Sequence, residues 1–428
     1  MGLREAEAKP LRMITAARHI DSTPSARGLR SWKCHAECCV IQQAGESDPE
    51  SRSSPARRPK AAETGVDDVR FFDAHCDTIL QVVEEGRDFL TGPGLHVTLP
   101  DLRAAGVCAQ VFACFVLEAR SPGRAREHAV ELIDAVHDLC AAHPSELRLA
   151  QTSEDVAEAC AERGPTAVVA DACGGHCPTA VVLSLEGADP LESEVEALRD
   201  FHARGVRLLT LAWDDNAFCG AAFGSGGGLS RQGEELVTLC EELGVMVDVS
   251  HASDAAFWDV CRVSTRPFVA SHSDCRSLCD VGRNLSDDMI RALAERGGVV
   301  GINLAAGFLS QQFADAEAGA REAFWAALRS GEKGLDEAHE AEARATRGLP
   351  RPPLNVIAAH VKHLIKVGGE DCVGLGGDLD GIESMPAGIE GVADYPRIAE
   401  LLLGSGLTEA QVEKVCCGNF SRVLSQTG

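Results

Sequence analysis

Five short apolar runs in this 428-residue chain break off into a histidine or a carboxylate. Phe71-Phe72-Asp73-Ala74 runs into His75-Cys76-Asp77, and Ala180-Val181-Val182-Leu183-Ser184-Leu185 into Glu186. Val245-Met246-Val247-Asp248-Val249-Ser250 leads to His251, Pro267-Phe268-Val269-Ala270-Ser271 to His272, and Val373-Gly374-Leu375-Gly376-Gly377 to Asp378. Residues i and i+2 of an extended strand point to the same side, so the imidazole of His75 and the carboxylate of Asp77 converge where the first run ends. Both groups are good ligands for zinc and similar divalent ions. A single such strand end is ordinary, because a lone His or carboxylate there is more often a hydrogen-bonded loop residue. Several in order form a set: three His and up to three carboxylates suit two divalent ions that share a bridging carboxylate. Such a pair of ions lowers the pKa of a bridging water and polarises a carbonyl oxygen. A carboxylate that is not a ligand can then carry the proton to a leaving group.

Residues this far apart need a scaffold that gathers strand ends. Candidate strands fall at 70–75, 107–116, 181–186, 206–212, 245–250, 267–271, 298–304 and 372–377, with Ala-, Leu- and Glu-rich helical segments such as 126–142, 191–203, 231–243 and 286–296 between most of them. Most of the strands are apolar nearly throughout, as parallel strands buried on both faces are. About eight strand–helix units point to a (β/α)8 TIM-type barrel, in which the C-terminal strand ends share one site. A doubly wound open sheet is the alternative, but no strand here is followed by the glycine fingerprint of a dinucleotide fold. The polar, Ala/Glu-rich stretch 305–353 reads as a helical excursion between the last two strands and a candidate cover for the barrel mouth.

Charge and composition narrow the partners. A formal charge of −25 argues against nucleic acid and anionic membrane, which need basic surface. Residues 1–70 hold 12 Lys/Arg against 10 Asp/Glu, so the acidity lies in the body. The first 68 residues lack sustained periodicity and read as a disordered or targeting leader, with 69–428 as the catalytic domain. No run approaches the ~18–20 apolar residues of a membrane span. The leader lacks the apolar core of a signal peptide, and Glu5, Glu7 and Asp21 spoil a transit-peptide pattern. A cytoplasmic location is the default expectation. Most of the 18 cysteines sit singly in apolar runs, where Cys behaves as a small hydrophobe. Two clusters, Cys34-His35-Ala36-Glu37-Cys38-Cys39 and Cys173-Gly174-Gly175-His176-Cys177, have ligand-type residues but no second ligand pair at zinc-finger spacing.

The same residues carry a resemblance. From about 70 to 425 the chain resembles the membrane (renal) dipeptidase family of zinc peptidases, within the amidohydrolase-like barrels. The matching stretches are Asp73-Ala74-His75-Cys76-Asp77, Ser184-Leu185-Glu186-Gly187, Asp248-Val249-Ser250-His251, Ala270-Ser271-His272-Ser273, Arg283-Asn284-Leu285 and Gly376-Gly377-Asp378-Leu379-Asp380-Gly381. The resemblance implies two Zn2+, with His75 and Asp77 on one, His251 and His272 on the other, and Glu186 bridging. It implies that Asp378 is the acid/base residue and that Arg283 pairs with the substrate's terminal carboxylate. A guanidinium fork matches a carboxylate bidentately, which suits that last role. Asp380 and His360 read as structural. A homodimer is also implied.

One position departs from the family pattern. Where many members place a substrate-contacting His after the fourth strand, this chain has Trp213, whose indole donates one hydrogen bond but takes up no proton. The leading expectation is zinc-dependent hydrolysis of dipeptides by a metal-bridging hydroxide. The alternatives are a related metal-dependent amidase or deacylase acting on another small amide, and a non-catalytic metal-binding barrel.

Overall fold

The computed structural model describes residues 69–118, 121–161, 177–330 and 335–426. Residues 1–68, with the Cys34–Cys39 cluster, and positions 173–176 of the second cluster lie outside the described residues. Eight strands form one parallel sheet: β1 Phe71–Cys76, β2 Val107–Phe115, β3 Leu147–Leu149, β4 Thr179–Glu186, β5 Val206–Thr210, β6 Met246–Asp248, β7 Val300–Ile302 and β8 Val373–Leu375. The pairing runs β6-β5-β4-β2-β1-β8-β7. Residues 269–270 bridge its two ends, since Asp248 pairs with Val269 and Ala270 with Val300, both parallel. The ring therefore has eight staves, as the (β/α)8 reading requires. Every residue of β1 and of β4 is buried, which explains why their sequences are apolar without alternating.

One strand is additional to the eight expected. The short β3 pairs Leu147 with Thr179 and Leu149 with Val181, early in β4. Since β2 covers β4 along its length, β3 shares the other edge with β5, which takes Leu183 to Glu186.

The connecting helices begin and end where local chemistry dictates. The helix Arg231–Leu243 starts at Ser230, whose hydroxyl accepts from the Gly233 N–H, and stops at Gly244 in the left-handed region at φ 72°. Ser253 and Ser286 cap Asp254–Val263 and Asp287–Glu295 in the same way. Between β7 and β8 the expected excursion is present as the helices Ala306–Leu309, Gln311–Ser330 and Leu335–Arg347. It packs at the mouth: the rings of Trp325 and Trp213 lie 5.0 Å apart, and Arg329 donates to the Phe223 carbonyl.

Candidate active site

The C-terminal ends of the staves bring together the five expected ligand residues and Asp378. His75 is in β1 with Asp77 just beyond it, and Glu186 closes β4. His251 follows β6, His272 follows the 269–270 bridge, and Asp378 follows β8. The Nε2 of His75 lies 3.4 Å from Glu186 Oε2, 3.6 Å from Asp77 Oδ2 and 4.0 Å from Asp378 Oδ1. On the other side Glu186 Oε1 is 3.1 Å from His251 Nε2 and 3.7 Å from His272 Nε2, and those two nitrogens are 3.0 Å apart. Glu186 thus faces one group with each oxygen.

These spacings suit ligands around an ion. Two donors each bound at about 2.1 Å in tetrahedral or similar geometry sit about 3.0–3.5 Å apart. Both ring nitrogens of His75 and the Oδ1 of Asp77 are buried without a hydrogen-bond partner. Burial without a partner costs free energy, and a cation would remove that cost. His75, Asp77 and Glu186 form one group able to hold an ion, and Glu186, His251 and His272 a second.

Protonation tendencies agree. Burial, then the nearby Arg283 charge, hold His251 down at about 4. Burial and the charges of His75 and Arg283 keep His272 well below the usual imidazole range. Neutral imidazole is the ligating form. At His75 burial acts the same way, but Glu186 and Asp77 outweigh it and raise the imidazole well above normal. That excess of negative charge is what a cation neutralises.

The His272 ring is held by a relay. Asp248 is buried and accepts from Thr210 Oγ1 and Ser271 Oγ, each at 2.6 Å. Ser271 spends its one hydroxyl proton there, so at 2.7 Å it accepts from the Nδ1–H of His272, which leaves the lone pair on Nε2 facing Glu186. Asp378 is held by Asn303, whose Nδ2 donates to its Oδ2 at 2.8 Å. Burial and the Glu186 charge raise the Asp378 carboxyl to about 6, against the opposing pull of His75, Asn303 and Arg283. His251 and Asp378 both have left-handed backbone, at φ 67° and 57°, a strained state for residues with a Cβ.

Arg283 is buried above His272. It donates through Nη1 to Ser273 Oγ at 2.7 Å and through Nη2 to the His272 carbonyl at 2.9 Å, while its Nε is buried without a partner. Trp213 stands 6.1 Å from the His251 ring, between Phe115 and Trp325 at 5.0 Å each. The two residues read as structural are so placed. Asp380 accepts from the His96 N–H and from Thr78 Oγ1. His360 accepts the Cys275 N–H at Nδ1 and contacts the Leu309 carbonyl through Nε2.

Sequence reasoning did not single out Asn303, Ser271 or Trp325. Asn303 had a visible signal, a lone amide closing the apolar run Val299-Val300-Gly301-Ile302. Trp325, in an Ala-rich helix, had none that pointed to the site.

The family model for Membrane dipeptidase (Peptidase family M19) matches residues 61–428. The chain belongs to this family. It is thereby a metal-dependent hydrolase of dipeptides. An uncharacterized dipeptidase of Schizosaccharomyces pombe is similar at 29% identity over 357 residues, 79% of this chain and 74% of that protein. Dipeptidase 3 of Mus musculus is similar at 29% identity over 79% of this chain and 59% of its own length. The fold is that of a metallopeptidase from Rhodobacter sphaeroides whose crystal structure contains a phosphinate mimic of the dipeptide L-Ala-D-Ala. That likeness has a TM-score of 0.68 and 23% identity, covering 84% of this chain and all of the other. Among the described residues, no helix is long and apolar enough to cross a membrane.

Proposed function

We propose that this chain hydrolyses dipeptides with two zinc ions, one held by His75 and Asp77, the other by His251 and His272, with Glu186 shared between them. The observation that carries this reading is the buried, unpartnered ring of His75, 3.4 and 3.6 Å from the carboxylates of Glu186 and Asp77. Nitrogen and oxygen donors in groups of three suit zinc with a position left open for water or substrate. When bound, the two ions supply a hydroxide nucleophile at neutral pH and polarise the peptide carbonyl.

The remaining roles fall to the protein's own groups. Asp378, outside the proposed ligand set with its Oδ1 4.0 Å from His75 Nε2, is placed to take a proton and return it to the departing amine. Asn303 keeps one carboxylate oxygen engaged and so leaves Oδ1 turned toward His75. Arg283 offers its unpartnered Nε–H and remaining guanidinium protons to the substrate's terminal carboxylate. Trp213 and Trp325 form an apolar wall beside His251 that excludes water and contacts the substrate side chain.

The same wall favours a second reading, a small amide with a bulky apolar acyl group as the preferred substrate. A panel of dipeptides with either stereoisomer at the C-terminal residue, run beside N-acyl amino acids, separates the two. Faster turnover of dipeptides supports the first; faster turnover of N-acyl amino acids supports the second. The proposal includes a homodimer, which light scattering on the purified chain tests.

A further inference from the structure

A second cluster of metal-type ligands lies at the opposite end of the barrel. The sulfur of Cys108 is 3.4 Å from that of Cys160 and 3.4 Å from that of Cys417, and all three lie within 4.8 Å of one another. The residues come from three separate elements. Cys108 is the second residue of β2, Cys160 is in the last turn of the helix Ser153–Ala161, and Cys417 is in the π-helical turn Lys414–Gly418. Single π turns are uncommon and recur at functional sites. The active site takes the other end of β2, where Phe115 pairs with Glu186.

The surroundings suit a soft ion. Cys108 and Cys417 are buried and Cys160 is half-buried, which leaves one side of the cluster within reach of solvent. Phe72, Val182, Phe420 and Leu424 belong to the same apolar cluster. The positive charge of Arg70 lies close enough to act on both Cys108 and Cys160.

We propose that Cys108, Cys160 and Cys417 form a three-coordinate thiolate site for a soft monovalent ion of the copper(I) class, distinct from the dipeptidase centre. Sulfur-only ligation selects such ions over the hard or borderline ions that nitrogen and oxygen donors hold. Among the described residues no fourth His, Cys, Asp or Glu joins the group, so these residues supply three sulfurs and not the four ligands of a structural zinc site. Three sulfurs bound in a plane at about 2.3 Å sit about 4 Å apart, so Cys108 needs to open from each of its two partners by only about half an ångström. Binding releases the thiol protons, and the Arg70 charge offsets part of the negative charge that remains.

The test is an anaerobic titration of the reduced full-length chain with copper(I) against a competing chelator. C160S, C417S and a C34S/C38S/C39S variant are titrated in parallel, with thermal melts of the metal-free proteins to establish that each is folded. The expected result is one tightly held equivalent that weakens at least tenfold in C160S and in C417S but persists in C34S/C38S/C39S. X-ray absorption of the one-equivalent sample is expected to show three sulfur neighbours, with dipeptide turnover unchanged in C160S. Retention of that equivalent at unchanged affinity in folded C160S and C417S, or nitrogen and oxygen neighbours around the copper, overturns the proposal.

Discussion

Asn303 donates to Asp378 across two neighbouring staves, 2.8 Å from Nδ2 to Oδ2, at the point where the Asp378 backbone is left-handed at φ 57°. The amide selects which carboxylate oxygen is free, and the strained backbone places that oxygen 4.0 Å from His75 Nε2. Removing the amide with Asn303→Ala leaves the carboxylate free to rotate. A hydrogen bond to a charged group contributes about 1.5–3 kcal/mol. The variant is therefore expected to lose roughly 10- to 100-fold in kcat with bound zinc unchanged. Wild-type kcat in that variant removes Asn303 from the positioning of Asp378.

Asp378 itself is expected to matter more. General acid–base groups contribute about 10²–10⁴-fold, so Asp378→Asn should lose most turnover while zinc content stays at the wild-type level. Steady-state kinetics beside metal analysis checks both halves. Equal activity in the variant would take Asp378 out of proton transfer.

Arg283→Lys replaces a fork with a point charge at a buried site. Lysine cannot hold Ser273 Oγ and the His272 carbonyl together as the guanidinium does. KM for dipeptides is expected to rise about tenfold or more, and an amide-capped substrate, which lacks the terminal carboxylate, should show a much smaller difference between wild type and variant. An equal loss for capped and free substrates would assign Arg283 a purely structural role.

The helical cover carries its own pH dependence. Burial, then the charge of Glu317, raises Glu342 to about 7, and Arg321, paired to Glu317 at 2.6 Å, only partly opposes this. From about 4.5 to about 7 the folded chain therefore holds a proton that the unfolded chain has lost, and stability falls as pH rises through that window. Glu342→Gln is expected to raise the melting temperature at pH 8 by roughly 2–4 °C and to change it little at pH 4.5. Thermal melts at the two pH values decide it, and equal shifts at both would show that the carboxylate charge is not the cause.

The eight staves were legible because each is a run buried on both faces, and even residues 267–271, which contribute only two bridges, kept that apolar texture. β3 was not, since three residues paired to the early part of β4 leave no periodic signal. The metal-type residues were legible for a related reason. In a parallel barrel a His or carboxylate at the end of an apolar run is already placed at the shared face. Ser271 was hidden, and Asn303 was visible as a lone amide but not its bond to Asp378, because both roles are set by the neighbouring stave, 23 and 75 residues away in sequence. Trp213 showed up as a departure from the family pattern, but its partner Trp325 comes from the helical excursion, where nothing local marks it. The Arg283 side chain likewise gave no sign that two of its nitrogens are already engaged with Ser273 and His272.

Glu186 faces both groups of ligands, so its removal tests the central claim most directly. Wild-type chain and Glu186→Gln would be loaded with zinc, freed of excess metal, and measured for zinc per chain and for dipeptide turnover on the same samples. Two zinc ions per wild-type chain with dipeptide hydrolysis, and loss of at least one ion together with turnover in Glu186→Gln, is the expected result. Two zinc ions and undiminished dipeptide hydrolysis in Glu186→Gln would contradict it.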